Sequence, residues 1–248
     1  MKVALVTGSG KRRLGSFVAA ALAERGYALV IHYRSSAAEA QRSVADFNGR
    51  GVPAIALGAD LADESAVRAM FDATLARFGR LDALVNCAAI WQPRRLEETT
   101  AADLRAHFEA NTLGTFLCCQ QGGLIMVRQP EGGAIVNFGD WAERRPYLDY
   151  AAYFPSKGAI PAMTRSMAVE LGTRNPRVRV NCVLPGPVLF QPDLPEAERE
   201  EAIRATLVHH AGEPENIVQA VLYCIDNTFV TGDCLTVDGG RTIFAQGK

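Results

Sequence analysis

VALVTGSGKRRLG, from Val3 to Gly15, reads as a short β-branched run, a glycine turn and the start of a helical pattern. Two standard phosphate motifs are absent from it. A GxGxxG fingerprint needs glycine where the chain has Arg13, and a Walker A loop needs Ser or Thr where it has Arg12. What remains is Gly8 and Gly10 in the turn, Gly15 at the helix start, and Lys11, Arg12 and Arg13 between them. Backbone N–H groups at a helix N-terminus favour an anion, and the three cations add positive charge. A solvated basic turn is the competing reading, and a second feature has to decide.

The strand-then-helix alternation continues along the chain. VALVT, ALVIHY, PAIALGAD, LDALVN, GAIVNF, VRVNCVLP and CLTVDGG read as strands, and residues 14–25, 36–50, 63–79, 101–128, 153–173 and 214–226 carry helical periodicity. Near-continuous apolar strands separated by helices predict a doubly wound parallel α/β sheet in a single domain, 1–248, with ligands at the strands' carboxyl ends. The irregular stretch after Pro185 predicts a substrate lid at about residues 187–212.

The chain is 48% hydrophobic and 21% charged with a net charge of −1, which offers no field for nucleic acid or an anionic membrane. A small-molecule partner is expected. The N-terminal apolar run is too short for a leader or a spanning helix, and LGTFLCCQQGGLIMV is broken by Gln120 and Gln121, as suits a buried helix of a cytoplasmic protein. The six cysteines lack CxxC or zinc-ligand spacing and read as core residues of a reducing compartment. The four histidines show no HExxH pattern, so no metal is expected, and His107, His209 and His210 read as surface or packing residues.

The second feature is IHYRSS, at the end of the second strand. A dinucleotide turn that binds NAD usually has an acid there, whereas this chain has Arg34, Ser35 and Ser36, which suit a 2′-phosphate. The expected cofactor is NADP(H). Arg34 as a plain surface residue is the alternative, weakened by two cation clusters meeting at one sheet edge.

TGSGKRRLG, GADL (58–61), NCAA (86–89), NTLGTF (111–116), YFPSK (153–157), LPGPV (184–188) and VTGDCLTVDGG (230–240) follow one another in order. Together they resemble the short-chain dehydrogenase/reductase family. That resemblance implies a seven-stranded Rossmann domain and a homotetramer, in which part of the apolar stretch 110–127 is buried between subunits. It implies cofactor contacts from Gly8, Ser9, Lys11, Arg12, Arg13 and Leu14 in the first turn, and from His32, Tyr33, Arg34 and Ser35 in the second. Asp60 and Leu61 would meet adenine, Asn86 and Ala88 would line the cofactor, and Pro185, Gly186 and Val188 would border the nicotinamide. Tyr153 would be the acid, Lys157 would bind ribose and lower the tyrosine pKa, and Asn111 would support a proton-relay water.

IVNFGDWA places Asp140 where the family normally has a serine that hydrogen-bonds a carbonyl. An ionised carboxylate about 4 Å from a developing alkoxide costs roughly 4 kcal/mol at an effective dielectric of about 20. That is about a thousandfold in rate. A ring C=N is a better match, since its nitrogen needs a proton that a carboxyl–phenol pair can relay. Asp140, Tyr153 and Lys157 in this spacing look like the pteridine reductases within the family, and so do Lys11, Arg13, Leu14 and Gly15 and the turn HYRSSAAEA. Trp91 in NCAAIWQP stands where that subgroup sandwiches a pterin.

Other readings stay open. Asp140 pairs with Arg144 or Arg145, Trp91 is a loop anchor, the substrate is a ketone or 3-oxoacyl thioester with Asp140 protonated, or the chain senses NADP with little turnover. Pro155 and Pro161 fall in the catalytic helix, and Pro161 predicts a local bend.

Overall fold

A computed structural model of the chain describes residues 1–190 and 194–244. The strands are β1 (Val3–Thr7), β2 (Ala28–Tyr33), β3 (Ala54–Gly58), β4 (Ala83–Asn86), β5 (Gly133–Phe138), β6 (Val178–Pro185) and β7 (Cys234–Val237). They form one parallel sheet in the order β3-β2-β1-β4-β5-β6-β7. The order reverses between β1 and β4, the place where open α/β sheets bind ligands at the strands' carboxyl ends. The fold is the expected Rossmann architecture.

Strand periodicity explains the two cores. Ala4 and Val6 of β1 point to one face and Val3 and Leu5 to the other, each set buried. On the first face, α1 (Leu14–Glu24) and α2 (Ala37–Gly49) supply Val18, Leu22 and Phe47. On the second, α3 (Glu64–Phe78) supplies Val67 and Phe71. All six cysteines are free; Cys118, Cys119, Cys182 and Cys224 are buried as core residues, and Cys87 and Cys234 are half-buried.

The expected single helix 101–128 is three pieces. α4 (Ala101–His107) passes into a π-helical turn, Phe108–Leu113, and then into α5 (Gly114–Val127). The wide turn carries Asn111 inward, where Oδ1 accepts from Ile90 N at 2.8 Å and Nδ2 donates to Ile90 O at 3.0 Å. Apolar periodicity runs straight through such a turn, so the spacing does not reveal it. α6 (Tyr153–Gly172) continues through Pro161 as one helix, and Pro155 lies in its first turn, where no intrahelical N–H bond is lost. Beyond β6, α7 (Glu196–Arg204) belongs to the segment expected as a lid, of which positions 191–193 lie outside the described residues. The last helix is α8 (Pro214–Asp226).

The β1–α1 turn is held by backbone geometry. Gly8 has φ +66°, and a Cβ there would lie 2.9 Å from the Ala88 Cα. Its N–H donates to His32 Nδ1 at 3.0 Å, while His32 Nε2 meets Ala59 O at 3.1 Å. Burial pushes the imidazole below its ordinary pKa, so the ring stays neutral with Nε2–H donating and Nδ1 accepting.

Gly26 has a similar φ of +78° but nothing within 4 Å of a built Cβ. Gly26→Ala carries only the left-handed strain, about 1–2 kcal/mol, and should lower Tm by about 2–8 °C. Gly8→Ala adds an overlap with main-chain atoms and should lower it clearly further by calorimetry. Equal losses would mean that the β4 turn yields freely.

Candidate active site

β5 ends at Phe138, and the chain then makes an extended step through Asp140 into the 3-10 turn Trp141–Glu143. The Asp140 carboxylate caps that turn, Oδ1 accepting from Ala142 N at 2.9 Å. Its other oxygen, Oδ2, accepts the Tyr153 O–H at 2.8 Å. One helical turn beyond Tyr153, the buried Lys157 donates from Nζ to Phe138 O at 2.7 Å. The strand end and the helix start thus hold phenol, carboxylate and ammonium together. Asn111 ties the back of the site: its Nδ2 also donates to Ser156 Oγ at 3.0 Å, and Ser156 Oγ donates to Tyr153 O at 2.6 Å.

Burial dominates the electrostatics. It raises the Asp140 pKa above its ordinary value, against the lowering effects of the Ala142 N–H, the Tyr153 hydroxyl and the Lys157 charge. It raises Tyr153 well above the phenol range, and Asp140 adds to that. Burial lowers Lys157, with Asp140 pulling the other way. In the folded chain the rise of Tyr153 from burial and Asp140 outweighs any lowering by Lys157. In this arrangement the neighbour that governs the phenol is a carboxylate, and the lysine acts on that carboxylate. Neither local arginine pairs with Asp140: Arg144 reaches Glu143 at 3.8 Å, and Arg145 Nη1 donates to Arg241 O at 2.9 Å.

Around this centre lie Trp91 and His107, named from the sequence, and Tyr147, Tyr150 and Glu143, which the sequence reading passed over. Trp91, 38% exposed, stacks on Tyr150 with centroids 5.1 Å apart and planes 9° from parallel. Tyr147 meets Tyr150 edge-on at 5.0 Å, and Tyr150 meets Tyr153 at 6.1 Å. The spacing of three between Tyr147, Tyr150 and Tyr153 was the available signal. His107 is buried, its ring edge 6.1 Å from Tyr153, with Nδ1 on Asp103 O at 2.8 Å and Nε2 without a partner among the described residues. Glu143 is pushed up to about 7 by burial, with Arg144 opposing and Asp140 reinforcing the rise.

The nucleotide edge divides the expected contacts by what their side chains already do. Lys11, Arg12, Arg13, Arg34 and Ser35 are exposed, and Leu14 is half-buried. Ser9 turns inward, Oγ donating to Val6 O at 2.7 Å, and His32 is committed to the two backbone partners described above. Tyr33 packs over Gly58, whose built Cβ would meet the ring at 2.9 Å. Asp60 Oδ1 accepts from Ala62 N at 3.0 Å, and Leu61 is buried against Gly114. Asn86 Nδ2 donates to Asn137 Oδ1 at 2.9 Å, and Ala88 N donates to Thr7 Oγ1 at 3.1 Å. Gly186 N donates to Val237 O at 2.8 Å, between a half-buried Pro185 and a buried Val188. A glycine turn, a helix start, exposed cations and no carboxylate at the end of β2 fit an anionic dinucleotide. Among the described residues no cluster of three or more His, Cys, Asp or Glu side chains is placed to hold a metal, and no helix is long and apolar enough to cross a membrane.

The profile of a family described as Enoyl-(Acyl carrier protein) reductase matches residues 9–242. The (2S)-[(R)-hydroxy(phenyl)methyl]succinyl-CoA dehydrogenase subunit BbsD of Thauera aromatica is 35% identical, covering 98% of each chain. A 3-oxoacyl-[acyl-carrier-protein] reductase of Synechocystis is 32% identical, also over 98% of each. A dehydrogenase/reductase structure from Sinorhizobium meliloti superposes with a TM-score of 0.88 at 32% identity, covering 97% of this chain and 94% of its own. With the tyrosine and lysine one helical turn apart beside a dinucleotide edge, these likenesses identify the chain as an oxidoreductase of the short-chain dehydrogenase/reductase family, whose members use nicotinamide cofactors.

Proposed function

We propose that the protein is an NADP(H)-dependent reductase that saturates a ring C=N bond of a pterin-type substrate, with Asp140 and Tyr153 handling the proton. The observation that carries this reading is the Tyr153 O–H donated to a half-buried carboxylate at 2.8 Å. A carboxylate opposes an alkoxide but favours a protonated C=N, because the charge it faces is positive rather than negative. The bound nicotinamide supplies the hydride. Tyr153 and Asp140 pass a proton to the nitrogen, and the raised Asp140 pKa lets the carboxyl carry that proton in turn. Lys157 orients the ribose, Asn111 supports a relay water, Trp91 holds the ring, and α7 serves as part of the substrate lid.

The names of the relatives favour a second reading, reduction of a carbonyl or 3-oxoacyl thioester. Asp140 must then be neutral and donate to the oxygen. Burial supports that too. On this reading too, the rate should fall as pH rises through the Asp140 pKa, so the substrate panel rather than the pH profile decides.

Steady-state NADPH oxidation with dihydropterin, dihydrofolate and ketone substrates separates the readings. Asp140→Asn keeps the shape but carries no transferable proton, so kcat on dihydropterin should fall with little change in KM. Asp140→Ser should lose most pterin reduction and gain on simple ketones. Efficient ketone reduction by the unaltered enzyme, with pterins ignored and Asp140→Asn unimpaired, would overturn the C=N reading.

Preference for NADP(H) rests on Arg34 and Ser35 at the end of β2 and on the first-turn cations. NADPH should bind more tightly than NADH by at least about tenfold, as one or two charge-assisted contacts imply. Arg34→Ala should remove much of the difference in calorimetric titrations, and equal affinities in the unaltered protein would exclude the assignment.

We further propose a homotetramer in a reducing, cytoplasmic compartment. Leu104, Phe108, Leu113 and Phe116 each remain more than a third exposed along α4, the π-turn and α5. An apolar stripe of this kind is the sort of surface that subunit contact covers. Light scattering at micromolar concentration should give about four chain masses. A monomer would remove the proposal.

A further inference from the structure

The aromatic side chains beside the site form a connected series. Trp91 stacks on Tyr150, Tyr150 meets Tyr147 at 5.0 Å, and Tyr147 stacks on Trp141 at 6.2 Å. The series ends in a cation, for the Arg241 guanidinium lies over the Trp141 ring, 4.5 Å from its centroid. Trp141 directly follows Asp140, so this cation stands next to the proton-handling pair.

Arg241 has no ion-pair partner among the described residues. Its neighbour Asp238 is already committed: Oδ1 accepts from Gly240 N at 2.9 Å, and Oδ2 accepts from Thr242 N and Oγ1, each at 2.6 Å. Asp140 is likewise occupied by Tyr153 and Ala142. The remaining charges nearby are Glu201 of α7, beyond pairing distance, and Arg145, a like charge that donates to the Arg241 carbonyl. Burial also disfavours the charged guanidinium. A half-buried cation with no ion pair among the described residues, favoured only at a distance by Glu201, Asp238 and Asp140 and opposed by Arg145, still gains from an incoming anion.

We infer that Arg241 is the anion-binding end of the substrate site, receiving a carboxylate or phosphate that the substrate carries beyond its reducible bond. This rests on the reductase reading above and narrows it to a substrate with a planar or acyl reacting end and an anionic tail. The Trp141 ring holds the guanidinium in place, so little side-chain freedom is lost on binding. Arg241 does not touch the reacting atoms; it sets specificity.

Two substrate pairs test this, each differing in tail charge: dihydrofolate against dihydrobiopterin, and acetoacetyl-CoA against the neutral N-acetylcysteamine thioester of acetoacetate. In whichever pair is turned over, Arg241→Gln should lower the anionic-to-neutral ratio of kcat/KM by about 10- to 100-fold, mainly through KM, and Arg241→Lys should restore part of it. A response in the first pair identifies a carboxylate tail, and in the second a phosphate. Equal loss on both members would overturn the inference and leave Arg241 as packing on Trp141. If neither pair is turned over, the reductase reading fails by itself, and quenching of Trp91 and Trp141 fluorescence still decides. With NADP+ present, dihydrofolate or acetoacetyl-CoA should bind at least about tenfold more weakly to Arg241→Gln. The same affinity in both proteins would overturn it.

Discussion

A buried phenol donating to a half-buried carboxylate sets the terms for everything around it. The bond between Tyr153 and Asp140 requires the end of β5 and the start of α6 to stay in register, although thirteen residues separate them. Asn111 and Ser156 brace the helix from behind, Lys157 anchors it to the Phe138 carbonyl, and the 3-10 turn fixes the other carboxylate oxygen. Loosening any of these contacts would leave the phenol and the carboxylate without their compensation, which is costly in an apolar setting.

The sheet was legible because each strand repeats one physical statement. An apolar run with no polar face belongs in the middle of a parallel sheet, and β1, β2 and β6 are buried nearly end to end. Tyr153, Lys157 and Asp140 were legible for a different reason, since a helical turn and a departure from an expected serine are both local signals. The first turn lay in between. Its glycines marked the close approach to Ala88, but the inward turn of Ser9 and the two-sided hold on His32 depend on strands that spacing does not bring together.

What escaped the sequence is mostly long-range. The π-turn at Asn111 leaves the apolar pattern intact, and its visible consequence is a pair of hydrogen bonds to Ile90, twenty-one residues away. Tyr147 and Tyr150 share a spacing of three with Tyr153, but nothing local announced that Tyr150 would stack on Trp91. Arg241 reaches Trp141 from the far end of the chain. The direction of the Asp140 pKa was also open beforehand, because burial and the lysine charge oppose each other; in the folded chain burial prevails. The tyrosine then follows the carboxylate rather than the lysine.

The neutral ring of His32 has a consequence for the nucleotide edge. Its Nδ1 lone pair receives the Gly8 N–H, and its other nitrogen is spent on Ala59. A second proton on that imidazole would set donor against donor across the turn and push Gly8 away from the strand beneath it. Burial defers that proton to more acidic solution than a free histidine requires. A turn that carries three consecutive cations is thus steadied from below by an uncharged side chain, and mild acid leaves the hinge on which they stand undisturbed.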